Sequence, residues 1–341
     1  APPAAPIEVV GDPLGDWRAS PDEAYARNLW DLQAFRGRLY LGYGDAIQNT
    51  GPTEVIAFDP ATHTFIHDAV FQEEAILRYR VFGDRLFVPG VDAVTSQDDT
   101  LYVRDAAGWT RLPLTDVVHA SDVSVRGDEI CVAVQDRATG GAVRCTRDQG
   151  GTWKAFPTQS WRSVSLFELG ASLYVSSHDS GVLRVDGRKL QLELPGVTTD
   201  RNVLVTQPIR CGNDVVFIGK RIQYAGEAAT VDVLGVFRAS VDARGSIGAT
   251  RVDIGGTPTD VFTHANRCYV LTNREAAAGT FDVTVFESLD NQTWNQRVTF
   301  VANAMARSAE LMNDYFYIGL GCASGQCTRM AGRLLRTSAQ R

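Results

Sequence analysis

A short apolar triad recurs along the chain, and its spacing limits the fold more than any other feature. Leu39-Tyr40-Leu41, Leu86-Phe87-Val88, Ile130-Cys131-Val132, Leu173-Tyr174-Val175, Val216-Phe217-Ile218, Cys268-Tyr269-Val270 and Phe316-Tyr317-Ile318 start 47, 44, 43, 43, 52 and 48 residues apart. Turn residues precede them, as at Gly83-Asp84, Gly127-Asp128, Gly170-Ala171, Asn213-Asp214 and Asn313-Asp314. A β-branched or aromatic run bounded by turn residues reads as a buried strand. A further strand is expected before each turn (31–35, 78–82, 122–125, 165–169), and two more after each triad (100–104 then 109–112, 141–146 then 152–156). Four strands per repeat of about 45 residues, seven times over, specify an all-β, seven-bladed β-propeller with four-stranded antiparallel blades.

This settles what length leaves open. A chain of 341 residues could make two average domains or one large one. Seven repeats use nearly all of it. The expected division is 1–20 as an N-terminal tether and closing strand, and 21–341 as a single propeller. The seventh repeat lacks an outer strand before the chain ends at Arg341. Ile7–Val10 is expected to supply it and close the ring, which would remove an exposed edge. Pro21–Arg27 reads as one short helix.

Charge and cysteines narrow the setting. The net charge is −7, and nucleic-acid binding, which needs a basic footprint, is not expected. No apolar run approaches a bilayer span. The six cysteines lack zinc spacing. Cys131 and Cys145 flank a hairpin turn, Cys322 and Cys327 bracket four residues, and Cys211 with Cys268 would be the remaining pair. Three disulfides imply an oxidising compartment; six buried thiols in the cytosol are the plainer alternative. Ala-Pro-Pro-Ala-Ala-Pro at the start reads as a tether left by removal of a leader or by trimming. Three Lys accompany thirty Arg, a bias suggesting a GC-rich bacterial genome.

One motif is more specific. Thr146-Arg147-Asp148-Gln149-Gly150-Gly151-Thr152-Trp153 matches the Asp-box, or BNR, pattern Ser/Thr-x-Asp-x-Gly-x-Thr-Trp. Ser288-Leu289-Asp290-Asn291-Gln292-Thr293-Trp294 is a shorter copy without the glycine. In such a turn Asp and Ser/Thr bond the local amides, Gly takes positive φ and Trp packs inward. The chain resembles the Asp-box β-propellers of sialidase-like and related exported bacterial proteins. The resemblance implies the fold; glycoside hydrolases, polysaccharide lyases and lectins all share it. Sialidases have six blades and an early Arg-Ile-Pro motif. Neither that motif nor a Tyr/Glu nucleophile pair occurs here, so no sialidase residue is carried over.

The site is expected on the face formed by the loops entering the inner strands, opposite the Asp-box turns. Eight positions before each triad lie Asp31, Arg78, Asp122, Ser165, Pro208, Asp260 and Ser308. Trp30, Tyr79, Arg80, His119, Trp161, Arg162, Gln207 and Arg307 lie nearby. These could pair with one another and simply fill the channel. They could instead form an aromatic-rimmed pocket in which Trp30 and Trp161 stack on a sugar or polar small molecule and Arg78 or Arg162 grips a carboxylate. Lys220, Arg221, Arg274 and Arg307 make blades five to seven the basic side, which would suit an anionic ligand.

Six positions after the start of the triads, Asp45, Asp92, Asp136 and Asp179 fall in register. They either cap their own turns or form an acidic arc for a cation or for acid–base work. His178 beside Asp179, and His119 near Asp122, are the His/Asp pairs of this face. No P-loop, dinucleotide fingerprint, HExxH or Gly-x-Ser-x-Gly occurs. No metal or cofactor is expected. The leading expectation is therefore a binding protein for carbohydrate or another polar ligand. A carbohydrate-active enzyme and a protein-interaction scaffold are the alternatives.

Overall fold

Strands alternate with tight turns because each repeat supplies an apolar run and then a residue that tolerates left-handed backbone. Gly83, Gly127 and Gly170 sit at φ of 60–62°, and Asn313 and Asp314 at 51° and 61°, in the turns that follow the inner strands. The computed structural model describes residues 6–15, 26–45, 51–94, 99–185, 189–190, 194–195, 203–225, 228–242, 246–323 and 327–339. Residues 1–5 and 16–20 of the expected tether, and most of the expected helix at 21–27, lie outside them.

Seven antiparallel sheets form a ring. Blade 1 runs Asp31–Phe35, Arg38–Gly42, Thr53–Asp59 and Thr64–Phe71 from the inside outward. The other inner strands are Arg80–Phe82, Val117–Arg126, Ser163–Leu169, Val203–Cys211, Thr257–His264 and Met305–Met312. Blade 3 departs from the four-strand plan. Glu73–Ala75 and Val91–Ala93 extend it to six strands, joined through the pairing of His119 with Val91.

The recurrent aromatic is the filler between blades. Tyr40, Phe87, Tyr174, Phe217, Tyr269 and Tyr317 are all buried. The core clusters bridge neighbouring blades; one joins Tyr269 and Phe300 of blade 6 to Phe316 and Ile318 of blade 7. Each such ring contributes about 1.5–3 kcal/mol of apolar burial. In blade 3 the same position is Cys131. It lies directly across from Cys145 on the neighbouring strand and is bonded to it. Cys211–Cys268 ties blade 5 to blade 6, and Cys322–Cys327 closes a small loop in blade 7.

The ring closes where the repeat count requires it. Glu8–Gly11 pairs antiparallel with Leu334–Ser338, the third strand of blade 7. Turns at Thr328–Ala331 and Met330–Arg333 lead into that third strand. Arg336 grips Glu8 with two hydrogen bonds of 2.8 and 3.0 Å. Deleting residues 1–11 should leave Leu334–Ser338 as an open edge. Expected results are a lower thermal midpoint and concentration-dependent association in light scattering. An unchanged midpoint with a monodisperse monomer would show that the closing strand contributes nothing.

The two aspartate turns lie between the third and fourth strands of blades 3 and 6. Asp148 accepts from Thr146 Oγ1 (2.6 Å), Thr152 N (2.9 Å) and Thr152 Oγ1 (2.8 Å). Asp290 accepts from Gln292 N and Thr293 N, with Ser288 Oγ at 3.2 Å. These bonds hold both carboxyls down at about 2. Gly150 takes φ of 87°. Trp153 and Trp294 pack, partly buried, against the cores of their neighbouring blades.

Candidate functional site

The inner strands begin on the face opposite these turns, and the residues at their starts work mainly as blade-to-blade clamps. Asp31 accepts from Tyr79 N of blade 2 at 2.5 Å. Asp122 accepts from its neighbour Val123 N and from Leu166 N of blade 4, both at 3.0 Å. Asp260 does the same with Val261 N (2.9 Å) and Ala309 N of blade 7 (2.8 Å). Ser165 and Ser308 donate to the carbonyls of Val205 and Leu29 in the next blades. Blades 3 to 7 each carry a register shift in this part of the inner strand. Such bulges bend a strand and re-aim its side chains.

Arg80 is a crossbar. Its Nε and Nη2 reach Asp122 Oδ1 and Oδ2 at 2.8 and 2.9 Å, and its Nη1 reaches the Pro208 carbonyl of blade 5 at 3.0 Å. Burial works against the Asp122 charge, but Arg80, with Arg78, wins and keeps that carboxyl below its usual range. The other channel carboxyls go the opposite way. Burial pushes Asp31 up to about 6 and Glu310 up to about 8, and it raises Asp260 well above its ordinary value. Glu310 reaches Ala34 N of blade 1 at 3.3 Å and is another clamp.

Arg78 differs from the rest of its register. Asp122 lies 3.9 Å from its Nε, beyond hydrogen-bond range, and the charges of Arg80, Asp31 and Asp260 also bear on it. Lys220 of blade 5 forms no hydrogen bond or ion pair among the described residues. Burial, then the charges of Arg307 and Arg78, push its ammonium down to about 8. Arg307 is held by Asn28 Oδ1 (3.0 Å) and by the Cys322 carbonyl, and it lies 5.0 Å over the Trp30 ring. Trp30 is thus roofed on one face, and its Nε1 donates to Gly44 O at 2.8 Å. A cavity of about 350 Å³ starts at Asp31, Arg78 and Asp260. It follows the inner strands past Ala34, Phe82, Arg210 and Thr263 toward the aspartate-turn face.

Blade 4 supplies the aromatic element. Trp161 is 38% exposed, and its other face stacks on His178 with ring centroids 4.5 Å apart. Burial, then the Arg162 charge, pushes His178 down to about 4, so it is neutral at pH 7. Arg162 Nε is 3.4 Å from Ser121 Oγ. His119 Nδ1 lies 2.9 Å from Asp92 Oδ1 rather than against Asp122.

The four aspartates in register do not act as one set. Asp136 caps Ala138 N and Thr139 N and pairs with Arg144. Asp92 faces His119, Asp45 is buried and Asp179 is exposed. Among the described residues no group of three or more potential ligands could hold a metal ion.

Three further buried carboxyls had no signal in the repeat; Glu74 is one, raised by burial to about 7. Glu73 and Asp99 lie in and beside the strands added to blade 3. Burial and, for Asp99, the Glu73 charge push them up to about 8 and about 9. Glu73 accepts from Tyr102 at 3.1 Å, while its second oxygen is buried without a partner.

The fold is shared with solved propellers of unrelated sequence. Virginiamycin B lyase from Staphylococcus aureus superposes with a TM-score of 0.58 at 8% identity, covering 91% of this chain and 94% of that one. The WD40 repeats of RRP9 give 0.56 at 11% identity and 98% of both chains. A computationally designed protein, Ika8, gives 0.54 at 11% identity, covering 93% of this chain and 98% of that one. No protein-family model and no curated protein matches the sequence. The chain is a seven-bladed β-propeller with a charged channel.

Proposed function

We propose that this propeller is exported and binds a carboxylate-bearing ligand, an acidic sugar fitting best, where Arg78, Lys220 and Arg307 converge at the start of the channel. The supporting observation is a cluster of cations: the Lys220 side chain makes no ion pair among the described residues, and Arg78, with Asp122 at 3.9 Å and Asp31 and Asp260 nearby, makes no side-chain hydrogen bond among them. Buried charges are normally paired, and a concave place that leaves two cations without hydrogen bonds favours an anion. The supported, half-open face of Trp161 suits stacking on a sugar ring. The three disulfides and the resemblance to exported Asp-box propellers agree with an oxidising compartment.

An array of acidic and neutral glycans, run with polysaccharide-degradation assays, tests this. Retention of uronate-bearing glycans without cleavage is expected. Equal retention of neutral glycans would overturn the anionic reading.

A second reading, a lyase, draws support from His119, whose Nδ1 lies 2.9 Å from Asp92 Oδ1 without hydrogen-bond geometry, because an imidazole beside a carboxylate suits proton abstraction. One neighbouring structure is a lyase, studied as a catalytically inactive histidine-to-alanine variant with quinupristin. If the array experiment shows cleavage with formation of a double bond, His119→Ala should abolish it. Cleavage that survives His119→Ala would remove this residue from the chemistry.

A further inference from the structure

The charges lining the channel cavity favour an anion in one protonation state only. Three arginines line it, Arg78, Arg80 and Arg210, and three carboxyls, Asp31, Asp260 and Glu310. Arg80 is cancelled by Asp122, which takes both prongs of its fork. Two arginines then face three carboxyls. With all three ionised the lining is net negative; with all three protonated it is net positive. Like charges at close quarters resist ionising together, so an entering carboxylate favours the protonated state.

The three carboxyls are bonded differently. Asp260 has its oxygens on Val261 N and Ala309 N, and Glu310 on Leu311 N and Ala34 N. Asp31 has Oδ2 on Tyr79 N, while its Oδ1 makes no hydrogen bond among the described residues. Asp31 is half-buried and shares the start of the cavity with Arg78. It is therefore the carboxyl that competes with an incoming carboxylate for that guanidinium. The groups facing Asp31 are Arg78, Arg80 and the Tyr79 hydroxyl on the blade 2 side, Asp122 of blade 3, Asp260 of blade 6 and Glu310 of blade 7. Burial pushes Asp31 up to about 6 against the pull of Arg78, whereas Glu310, at about 8, and Asp260 still hold protons at that pH.

We propose that the anion site is gated by a proton on Asp31: a ligand carboxylate takes Arg78 as Asp31 takes up a proton from solution, so the site captures its ligand at mildly acidic pH and releases it above neutrality. The inference rests on the anion site proposed above and adds its regulation. The proton goes to Oδ1, the oxygen without an amide, and turns a competing acceptor into a donor. One proton is taken up for each ligand bound. Such a ligand weakens as pH rises through the Asp31 value, by up to about tenfold per pH unit.

Calorimetry with trigalacturonate at pH 5.5, 6.5 and 7.5 tests this, with the pH 6.5 titration run in both MES and imidazole, whose different ionisation heats report proton uptake. The uronate carboxyls stay ionised throughout. Wild-type affinity should fall at least about tenfold from pH 5.5 to 7.5, with uptake of more than about half a proton at pH 6.5. Asp31→Asn keeps an acceptor for Tyr79 N but cannot ionise. With its thermal midpoint checked, it should bind more tightly than wild type at pH 7.5 and lose the pH dependence. Constant wild-type affinity without proton uptake would overturn the gate and leave the anion site standing. A pH dependence that survives in Asp31→Asn would place the proton elsewhere, as on His119, and also overturn it. Absence of binding at every pH would remove the anion site itself.

Discussion

Replacing Asp122 with alanine should lower the unfolding free energy by about 3–5 kcal/mol, the range for breaking a buried ion pair from one side. Asp122 accepts both donors of the Arg80 fork and two backbone amides, and one of those amides belongs to the next blade. Removing it leaves a buried guanidinium and two unsatisfied N–H groups. Arg80→Ala should cost less, because the Asp122 carboxyl can protonate and keep its amide partners. The double variant should lose less than the sum, since the two side chains act on one another. Urea unfolding of the three variants measures this. A loss below about 1 kcal/mol for Asp122→Ala would mean that the crossbar is ornamental.

Stability should also fall as pH rises from about 5 to 9. Asp31, Glu73, Asp99 and Glu310 reach about 6, 8, 9 and 8 in the folded protein, against ordinary values of 3.8 or 4.5. Asp260 is raised as well. Below pH 4 these groups are neutral in both folded and unfolded chains, and their full contribution is present. As pH rises through the folded values, the unfolded chain ionises more readily and stability is lost. His178, held down at about 4, works the other way: its contribution is lost as pH falls from 6.5 toward 4. Lys220 returns some stability above pH 8. The carboxyls outnumber both. The midpoint should drop by roughly 5–10 °C between pH 5.5 and 8.5. Glu73→Gln should shrink that drop, because an amide cannot ionise against burial. A midpoint that rises over this interval would contradict the carboxyl assignments.

The fold was legible because its signals are periodic. The central aromatic of the triad is the inter-blade filler, and its spacing counts the blades. Cys131, which breaks that pattern, marks a disulfide that the hairpin spacing also indicates. The site was legible only as a list. Register alone gives Asp31, Asp122 and Asp260 the same standing as Arg78, yet the aspartates are clamps and Arg78 is not. The difference depends on which backbone amides the next blade presents, a long-range fact with no local pattern. Glu73 and Asp99 escaped for a related reason. Glu73 belongs to, and Asp99 bonds to, strands that join blade 3 from the connections around blade 2, outside the repeat. In the sequence Trp30 is as good a platform as Trp161; in the fold the Arg307 guanidinium covers one of its faces.

The claim that the channel start is an anion site stands or falls on one titration. Calorimetry of the wild-type protein and Arg78→Ala with trigalacturonate, and with its neutral galactose counterpart, tests it directly. The wild type should bind the uronate and weaken as salt is added. Arg78→Ala should lose at least about tenfold, the equivalent of one charge-assisted hydrogen bond, and the neutral sugar should bind far more weakly. Equal affinity for charged and neutral sugars, or an Arg78→Ala variant indistinguishable from wild type, would contradict the account.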